Sequence, residues 1–584
     1  MKRLIAYLKE DLKEAILAPL FKMLEAIFEL IVPLIVARMI DVGIASRSTS
    51  SILKDGGLLI LLGVIGLAAA VTAQYFSAKA AVDTGTRIRG DLFRHMQTLS
   101  WRQIDETGTS TLITRLTSDI NTVQNGVNMF LRLFLRSPFV VFGAVVMAFT
   151  VDVHTSIVFV IVLPVLILIV ALILKITMPL YQKVQKQLDT VLLKTRENLL
   201  GVRVVRAFNR QESEKEEFSG HVASLYRKQI FAGKITALLN PLTYAVINLG
   251  IIGVLWYGGA QVNSGLLTQG AVIALVNYMS LILTELVKLA NLIILLSRAM
   301  ASMKRVDTIF EMQNDIPEGT ESFPSSPDGV SVSFDHLTFR YTEGADAALS
   351  DISFHVPAGT TVGIIGGTGS GKSTLVNLLP GFYLPDSGSI TVNGQDIRTI
   401  RKKELREAIG MVPQKAVLFQ GTIRQNMQWG KRDASDEEIR RALTAAQALD
   451  FVEQKTEGLD YKLEQEGRNL SGGQRQRLTI ARALVRDPQI LILDDSASAL
   501  DFATDAALRR SIRSMPGLHT VFLVSQRVST VRSADRILVL DDGKAAGYGT
   551  HSDLILHCPA YREICESQLS RDEFEKETAK GGNN

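Results

Sequence analysis

The chain has 584 residues, of which 47% are hydrophobic and only 21% are charged, and its mean hydropathy is positive at +0.19. This length exceeds what one hydrophobic core supports, and the composition favours a membrane protein with a soluble part. The formal net charge of +4 is small for this length and gives no argument for a nucleic-acid partner. The two cysteines, Cys558 and Cys565, cannot build a disulfide framework, which fits a reducing cytosolic face.

Six apolar stretches in the first half are long enough to cross a bilayer, for which about 20 residues are needed. They lie near Ile16–Ile40, Gly57–Ser77, Phe130–Thr150, Ser156–Met178, Ala237–Gly258 and Ala271–Leu296. The long connections after the second and fourth stretches carry many lysines and arginines, whereas Gly259–Gly270 carries no charge. By the positive-inside rule, both termini and both long loops are cytoplasmic. The sequence therefore predicts a multi-pass protein of the cell (inner or plasma) membrane, with the lipid bilayer as a partner.

Charged residues lie inside or beside these predicted spans. The acidic ones are Glu25, Glu29 and Glu285, and the basic ones are Lys22, Arg132, Arg136 and Lys288. A spacing of four places Glu25 and Glu29 on one helix face. Hydrocarbon does not tolerate unpaired charges, so two interpretations stay open. The acids line a polar cavity that takes substrate, or they form interhelical salt bridges without a substrate role.

Turn-forming composition marks a linker after the last span. Residues 312–330 include Asn-Asp-Ile-Pro-Glu-Gly and Ser-Phe-Pro-Ser-Ser-Pro-Asp-Gly, and alternating strand and helix patterns follow. We predict an α-helical transmembrane domain over 1–311, with six helices that have long cytoplasmic extensions. After the 312–330 linker we expect an α/β P-loop domain over 331–566 and a polar C-terminal tail over 567–584.

The α/β domain contains the phosphate-loop pattern G-x-x-x-x-G-K-[ST] between an apolar strand pattern, Thr361–Ile365, and a helical pattern, Leu375–Leu379. Its glycines allow a tight turn that brings backbone N–H groups against phosphate oxygens. Lys372 can reach the β- and γ-phosphates, and the Ser373 hydroxyl can join the shell of a Mg²⁺ ion. The predicted phosphate-binding residues are Gly366, Gly367, Thr368, Gly369, Ser370, Gly371, Lys372, Ser373 and Thr374.

Two further motifs follow along the chain. The apolar run Ile490–Leu493 ends in Asp494, a carboxylate that can hold Mg²⁺ directly or through water. Ser471, Gly472, Gly473 and Gln474 open a predicted helix, whose N-terminus favours anions. A second phosphate-binding helix end in one domain makes sense if it serves a nucleotide that another subunit holds.

These motifs resemble the ATP-binding cassette (ABC) family. Leu-Ser-Gly-Gly-Gln, between a phosphate loop and Ile-Leu-Ile-Leu-Asp-Asp, is similar to the cassette, and six spans ahead of one cassette resemble an ABC exporter half-transporter. The resemblance implies an ATPase coupled to transport, with ATP and Mg²⁺ as cofactors. It also implies that Tyr341 stacks on adenine, that Gln414 contacts Mg²⁺, and that Asp501 lies in a loop crossing a dimer interface.

The membrane half also resembles the family. Leu99–Gly108 with Arg115–Asp119 is similar to the first coupling loop, and Val204–Asn209 is similar to the second. In the family these loops end in short helices that press on the cassettes. The resemblance therefore implies short helices at both places.

The chain departs from the family at the residues that hydrolyse ATP. Where efficient members have glutamate after the Mg²⁺-binding aspartate, this chain has Asp495, and a general base must come within about 2.6–3.2 Å of its water. Where the family has histidine, Gln526 can bond a γ-phosphate but cannot carry positive charge. Leu463–Gly467 also differs from the usual glycine–glutamate pair. Asp495 and Gln526 are the catalytic candidates.

The residues that bind nucleotide and the signature motif are intact. This combination resembles the degenerate-site subunit of heterodimeric bacterial multidrug ABC exporters, and it implies a second, different half-transporter and an amphipathic small-molecule substrate. The alternative is a homodimeric exporter or flippase of lipid or peptide. An importer is a minor alternative, because importers normally keep their membrane and ATPase parts on separate chains. A nucleotide-gated regulator or channel is the rival of a different class.

Overall fold

The computed structural model describes residues 2–326, 329–342, 344–515 and 520–581. The chain divides into two compact units, Met1–Gln97 with Thr109–Met312 and Thr98–Gly108 with Gln313–Asn584. A short piece of the first half therefore belongs to the second unit, and so does most of the predicted linker.

The first half is helical throughout its described residues. Its helices are α1 (Lys2–Glu10), α2 (Leu12–Arg38), α3 (Thr49–Met96), α4 (Trp101–Thr107), α5 (Thr109–Thr114), α6 (Ile120–Leu133), α7 (Arg136–Val151), α8 (Val153–Leu200), α9 (Val202–Ala207), α10 (Gln211–Ala237), α11 (Leu239–Asn263) and α12 (Gln269–Glu311). Short π-helical turns occupy Met39–Ile44 and Arg115–Asp119. The short helices α4 and α9 lie in the two loops where the resemblance implies them, and α4 belongs to the second unit.

Five helical segments of the described chain are long and apolar enough to cross a membrane. They are Thr49–Met96, Thr109–Val151, Val153–Leu200, Gln211–Asn263 and Gln269–Glu311. They contain the last five of the six spans predicted from the sequence. The first predicted span coincides with α2, which is continuous over 27 residues but carries charged side chains in its apolar stretch. A total of six spans therefore stays a prediction.

Those charges are paired within the first unit. Glu285 of α12 is fully buried and accepts hydrogen bonds from Arg136 of α7 at 2.7 Å, from Ser137 at 2.9 Å and from Lys288 at 2.7 Å. Arg136 also donates to Glu29 of α2 at 2.5 Å. Because the two carboxylates belong to different helices, the Arg136 guanidinium joins α2, α7 and α12. Glu285 therefore forms an interhelical salt bridge, as one of the two interpretations predicts, and its role toward substrate stays a prediction.

A second pair extends this network, since Lys22 donates to Glu25 at 2.5 Å, and Glu25 lies 4.0 Å from Arg136. We call the whole set the Arg136 cluster. It consists of Lys22, Glu25, Glu29, Arg136, Glu285 and Lys288. The three acids balance the three bases, so these six residues carry no net charge. Glu29, whose side chain is 36% exposed, is the most exposed of the three acids.

The second unit is an α/β domain whose central sheet has the strand order β12-β11-β3-β10-β9-β6. Its strands are parallel from β11 to β6, and β12 is antiparallel. A second sheet has the order β2-β1-β4-β5, and β7 pairs with β8. The strands are β1 (Val332–Phe339), β2 (Leu349–Val356), β3 (Thr361–Gly366), β4 (Ser387–Val392), β5 (Gln395–Asp396), β6 (Ile409–Val412), β7 (Gly421–Thr422), β8 (Lys462–Leu463), β9 (Ile490–Asp494), β10 (Thr520–Val524), β11 (Arg536–Asp541) and β12 (Lys544–Gly549).

Helices surround these sheets. They are α13 (Lys372–Leu378), α14 (Lys402–Ala408), α15 (Ile423–Gln428), α16 (Asp436–Ala445), α17 (Leu449–Glu453), α18 (Gly472–Leu484), α19 (Phe502–Ser514), α20 (Val528–Val531), α21 (His551–His557), α22 (Pro559–Gln568) and α23 (Arg571–Gly581), with 3₁₀ turns at Gly458–Asp460 and Gln465–Gly467. The strands β3, β9 and β10 are almost wholly buried, which explains why their sequences are continuous apolar runs.

The C-terminal segment is more ordered than its polar composition indicates. The predicted tail begins at residue 567, but α22 continues to Gln568 and α23 follows it. Phe574 of α23 packs against a hydrophobic cluster that includes Tyr561 and Cys565 of α22. Phe574, together with the pair of Glu577 and His551 at 3.8 Å, thus anchors a helix whose other side chains are mostly polar.

Candidate nucleotide-binding site

Three neighbouring parallel strands deliver the site residues to one edge of the central sheet. The phosphate loop follows β3, Asp494 ends β9, and Gln526 follows β10, with Val524 in register with both Asp494 and Ile364. The carboxyl ends of parallel strands meet at the same edge, where ligands bind in open α/β sheets. Sequence elements more than a hundred residues apart therefore come together.

A cavity of about 360 Å³ opens at this edge. It is lined by Tyr341, Ala348, Thr368, Gly369, Gly371, Lys372, Ser373, Thr374, Gln414, Asp494, Asp495, Val524 and Gln526. The predicted residues Gly366, Gly367 and Ser370 belong to the same loop without lining the cavity. The signature residues Ser471 to Gln474, predicted to serve a nucleotide that another subunit holds, are not among the residues that line it.

Glycine is required at two points of the phosphate loop. Gly371 has φ = 91°, in the left-handed region that side chains with a Cβ rarely adopt. At Gly366 a Cβ would lie 2.1 Å from the carbonyl oxygen of Leu540 and 2.6 Å from Ser370 Oγ. The loop can therefore take this tight path only with glycine at both positions.

Lys372 occupies the centre of that loop. Its amine donates to the carbonyl oxygens of Gly366 at 2.9 Å and Gly367 at 2.5 Å, and the residue is 8% exposed. Burial lowers the pKa of this amine, and the carboxylates of Asp495 and Asp494 act in the opposite direction. A buried cation can bind phosphate oxygens, and two acids beside it can bind a metal ion that accompanies the phosphates.

Oxygen atoms suited to Mg²⁺ lie next to the loop. The Ser373 hydroxyl donates to Asp494 Oδ1 at 2.9 Å, and Asp494 is nearly buried, which raises the pKa of its carboxyl. A hydroxyl and a carboxylate are the hard ligands that Mg²⁺ prefers, so this pair fits the ion. Within the described part of the chain, no group of three or more His, Cys, Asp or Glu side chains could hold a metal ion.

Asp495 has an unusual backbone. Its φ is 44°, and its N–H donates to the carbonyl oxygen of Val524 at 3.0 Å. Its carboxylate accepts a hydrogen bond from Gln414 Nε2 at 3.4 Å, and burial raises the pKa of the Asp495 carboxyl. Aspartate and asparagine tolerate the left-handed region better than other residues with a Cβ. The backbone at this position therefore favours the shorter acid, a reason that sequence alone did not give.

Gln526 lies in the segment after β10, and contacts of the next residue, Arg527, hold this segment in place. Arg527 donates to the carbonyl oxygen of Ser498 at 3.3 Å, and its guanidinium lies 5.6 Å from the centre of the Phe502 ring. The positive charge of Arg527 acts to lower the pKa of Asp495 against the larger effect of burial. The sequence analysis missed Arg527, although its position beside Gln526 was a signal that could have found it.

Tyr341 stands at the open end of the cavity and is 42% exposed. Its hydroxyl forms a hydrogen bond with Thr374 Oγ1 at 2.9 Å, and its ring meets Tyr383 edge-on at 5.5 Å between ring centres. The Tyr383 hydroxyl donates to Asp105 of α4, and Trp101 of α4 stacks on Phe382. Tyr383 therefore connects α4 to Tyr341, a link that sequence reasoning did not identify.

The signature begins α18 with a reciprocal cap. Ser471 Oγ accepts from the Gln474 N–H at 3.3 Å, and Gln474 Oε1 accepts from the Ser471 N–H at 3.1 Å. A Cβ added to Gly472 would meet nothing within 4 Å, so this helix start is open. The Asp501 side chain caps α19 by accepting from the Thr504 N–H at 2.9 Å and from the Thr504 hydroxyl at 2.8 Å. Neither motif is among the described residues that line the cavity.

Comparison with known proteins agrees with this architecture. Residues 15–286 match the ABC transporter transmembrane region and residues 349–498 match the ABC transporter family model. The chain is 36% identical to the uncharacterized ABC transporter ATP-binding protein YfiB of Bacillus subtilis, over 98% of this chain and 99% of that one. It is 34% identical to the ATP-dependent lipid A-core flippase of Desulfotalea psychrophila, over 80% and 81% of the two chains.

The fold has a close match among solved structures. A bacterial Atm1-family ABC exporter with ATP bound superposes with a TM-score of 0.80 at 24% identity, covering 97% of this chain and 99% of that one. The chain belongs to the ABC transporter family, with an exporter-type membrane domain fused to the ATP-binding domain. It is an ATPase coupled to transport across the plasma membrane.

Proposed function

We propose that this chain is one half of a heterodimeric ABC exporter that moves amphipathic compounds out of the cell, with six membrane spans and a degenerate ATP site of its own. The observation that carries the proposal is the pairing of Asp495 and Gln526 at the hydrolytic positions of a cavity whose binding residues are intact. A different second half-transporter then supplies the competent site.

The binding roles follow from the site's chemistry. Lys372 and the loop N–H groups hold the β- and γ-phosphates, and Tyr341 packs against adenine. Ser373, Asp494 and Gln414 hold Mg²⁺, which when bound neutralises phosphate charge. The remaining loop residues Gly366 to Ser370, with Thr374, shape the cradle. None of these roles needs the two residues that depart from the family.

Hydrolysis at this site should be slow for two independent reasons. The Asp495 carboxylate is one methylene shorter than glutamate, and general-base help is typically worth about 10²–10⁴-fold. Gln526 can offer a directional hydrogen bond to a γ-phosphate but no positive charge against the transition state. The site therefore binds ATP and turns it over poorly.

The signature serves the partner in this proposal. Ser471, Gly472, Gly473 and Gln474 form a capped, open helix start that could receive phosphates from outside the chain, and Asp501 crosses the same interface. ATP at both interfaces would close the two cassettes, and hydrolysis at the partner's site would reset them. Each end state must then differ in its affinity for nucleotide.

The proposed substrate class is supported by the charges in the membrane domain. The six residues of the Arg136 cluster are balanced in charge, so a preference for amphipathic cations would depend mainly on Glu29. A homodimeric lipid flippase is the second candidate, because a relative 34% identical to this chain is an ATP-dependent lipid A-core flippase.

The decisive experiment measures ATP hydrolysis by the purified chain in lipid nanodiscs without a partner. We expect slow turnover, and we expect the combination of Asp495→Glu with Gln526→His to raise it, provided that the chain dimerises. The left-handed backbone at position 495 suits aspartate better than glutamate, so the gain should fall short of the full general-base effect.

The matched control is Asp495→Asn with Gln526→His, which keeps a residue tolerant of that backbone but supplies no base. It should leave turnover at or below the wild-type rate. A wild-type rate equal to that of the Asp495→Glu, Gln526→His variant would instead favour a competent homodimer.

A further inference from the structure

One side chain from the C-terminal helix α22 holds the backbone on both sides of Arg527. Gln568 Nε2 donates to the carbonyl oxygen of Gln526 at 2.8 Å, and Gln568 Oε1 accepts from the N–H of Val528 at 2.9 Å. The orientation of this amide is fixed by its partners, because a carbonyl can only accept and an N–H can only donate. Val528 is the first residue of α20, so its N–H has no acceptor within that helix.

The rest of α22 holds Gln568 in place. Tyr561 and Cys565 are fully buried and belong to one cluster with Ile365 and Val531. The positions 561, 565 and 568 follow the i, i+4, i+7 spacing of one helix face, so the face that packs on the domain also presents Gln568. Ile365 immediately precedes the phosphate loop, and Val531 ends α20. The helix thus packs against α20 and shares one hydrophobic cluster with Ile365.

We infer that Gln568 is a positioning residue for ATP hydrolysis, which sets the location of the Gln526 side chain in the nucleotide cavity from outside that cavity. This inference rests on the proposed role of Gln526 beside the γ-phosphate. Gln568 does not line the cavity and acts only through the backbone of residues 526–528.

The neutral charge of Gln526 makes this positioning more important. A cation at that place would act on phosphate through a Coulomb energy that falls only as the inverse of distance. An amide acts through a hydrogen bond, which weakens steeply once its angle falls below about 120°. A small displacement of the 526 backbone therefore costs glutamine more than it would cost a protonated histidine.

The test compares Gln568→Ala with wild type in the full-length chain in nanodiscs, using phosphate release from radiolabelled ATP. A misplacement of about 1 Å can cost as much as 10²-fold, so we expect kcat to fall about tenfold. The KM for ATP should change less than about twofold, because the phosphate loop is untouched. Ser567→Ala is the matched control, since its hydroxyl bonds only the carbonyl of Ile564 in the same helix.

A double-mutant cycle separates positioning from general damage to the fold. Once Gln526→Ala has removed the side chain to be positioned, adding Gln568→Ala should lower kcat no further. Gln568→Glu keeps the acceptor for Val528 but loses the donor to the Gln526 carbonyl, so it should also lower kcat. A kcat for Gln568→Ala within about twofold of wild type, or an undiminished effect in the Gln526→Ala background, would overturn the inference.

The same series distinguishes this inference from the proposed function. If Gln526→Ala leaves kcat unchanged, the assigned role of Gln526 is wrong, and the inference that depends on it is overturned with it. If Gln526→Ala lowers kcat while Gln568→Ala does not, only the inference fails. Thermal unfolding of each variant shows whether a lower kcat comes from misfolding. If Gln568→Ala misfolds, the kcat of Gln568→Glu tests the inference instead, because this variant keeps the hydrogen bond to the Val528 N–H.

Discussion

Lys372 is the buried cation of the phosphate loop, bonded to the carbonyl oxygens of Gly366 and Gly367. We expect Lys372→Ala to weaken ATP binding by about 10- to 100-fold, because a hydrogen bond to a charged group contributes roughly 1.5–3 kcal/mol. Photo-labelling with an azido nucleotide measures this loss. Lys544→Ala is the control, since it removes an exposed lysine of β12 in the same domain. Labelling of Lys372→Ala at the wild-type level would contradict the assigned role.

Residues also show how far sequence reasoning reaches. Lys372, Ser373 and Asp494 could be predicted because their motifs are local and each residue type is dictated by phosphate or Mg²⁺. Gln568 lies 42 positions from Gln526 and bonds only backbone atoms, so no residue type at 526 or 528 marks its partner. The shortness of Asp495 could be read from sequence, but its positive φ could not, because that angle follows from the turn after β9.

Helix α18 gives a prediction at the scale of an element. Gly472→Glu should abolish turnover of the heterodimer, since it adds negative charge where the partner's phosphates are proposed to bind. Gly472→Ala should fold equally well, because its Cβ meets nothing within 4 Å, and should be far milder. The measurement is ATPase activity of the assembled pair. Substitutions of Asp495 should lower the ATPase activity of the pair less than Gly472→Glu does. Equal losses of activity would argue against asymmetric sites.

The Arg136 cluster joins three helices, and we expect Arg136→Met to destabilise the membrane domain by about 3–5 kcal/mol, since it leaves Glu285 buried without its main partner. Adding Glu285→Leu should restore much of that stability by removing the stranded charge. Thermal unfolding in detergent compares the two variants. A double variant no more stable than the single one would show that the cost comes from lost packing.

The pairing of charges between distant helices could not be predicted from the sequence. Glu285 and Lys288 are three positions apart, a spacing that places both on one helix face, and they form a hydrogen bond of 2.7 Å. Arg136 and Glu285 are 149 positions apart, and the sequence around either residue does not indicate that the other is its partner. Similarly, α23 has a polar sequence that predicts a tail, and its attachment follows from tertiary contacts, those of Phe574 with the cluster around Tyr561 and of Glu577 with His551.

For the whole molecule, the proposal predicts uphill movement of an amphipathic cation into inside-out vesicles that contain this chain and its partner, with dependence on ATP. A nucleotide-gated channel could not concentrate the compound. Glu29→Gln should reduce the preference for cations over neutral analogues while sparing basal ATPase activity, because Glu29 is the most exposed acid of the Arg136 cluster. Unchanged preference would remove Glu29 from the substrate path.

Helix α3 is a single rod of 48 residues without an internal proline, roughly 72 Å long at about 1.5 Å per residue. The hydrocarbon core is about 30 Å thick, so more than half of this rod lies outside it. A tilt of about 5° would move the far end of such a rod by roughly 6 Å, more than one helical turn. Helix α8 has the same length but contains Pro164 and Pro179, so it can bend where α3 must swing as one piece.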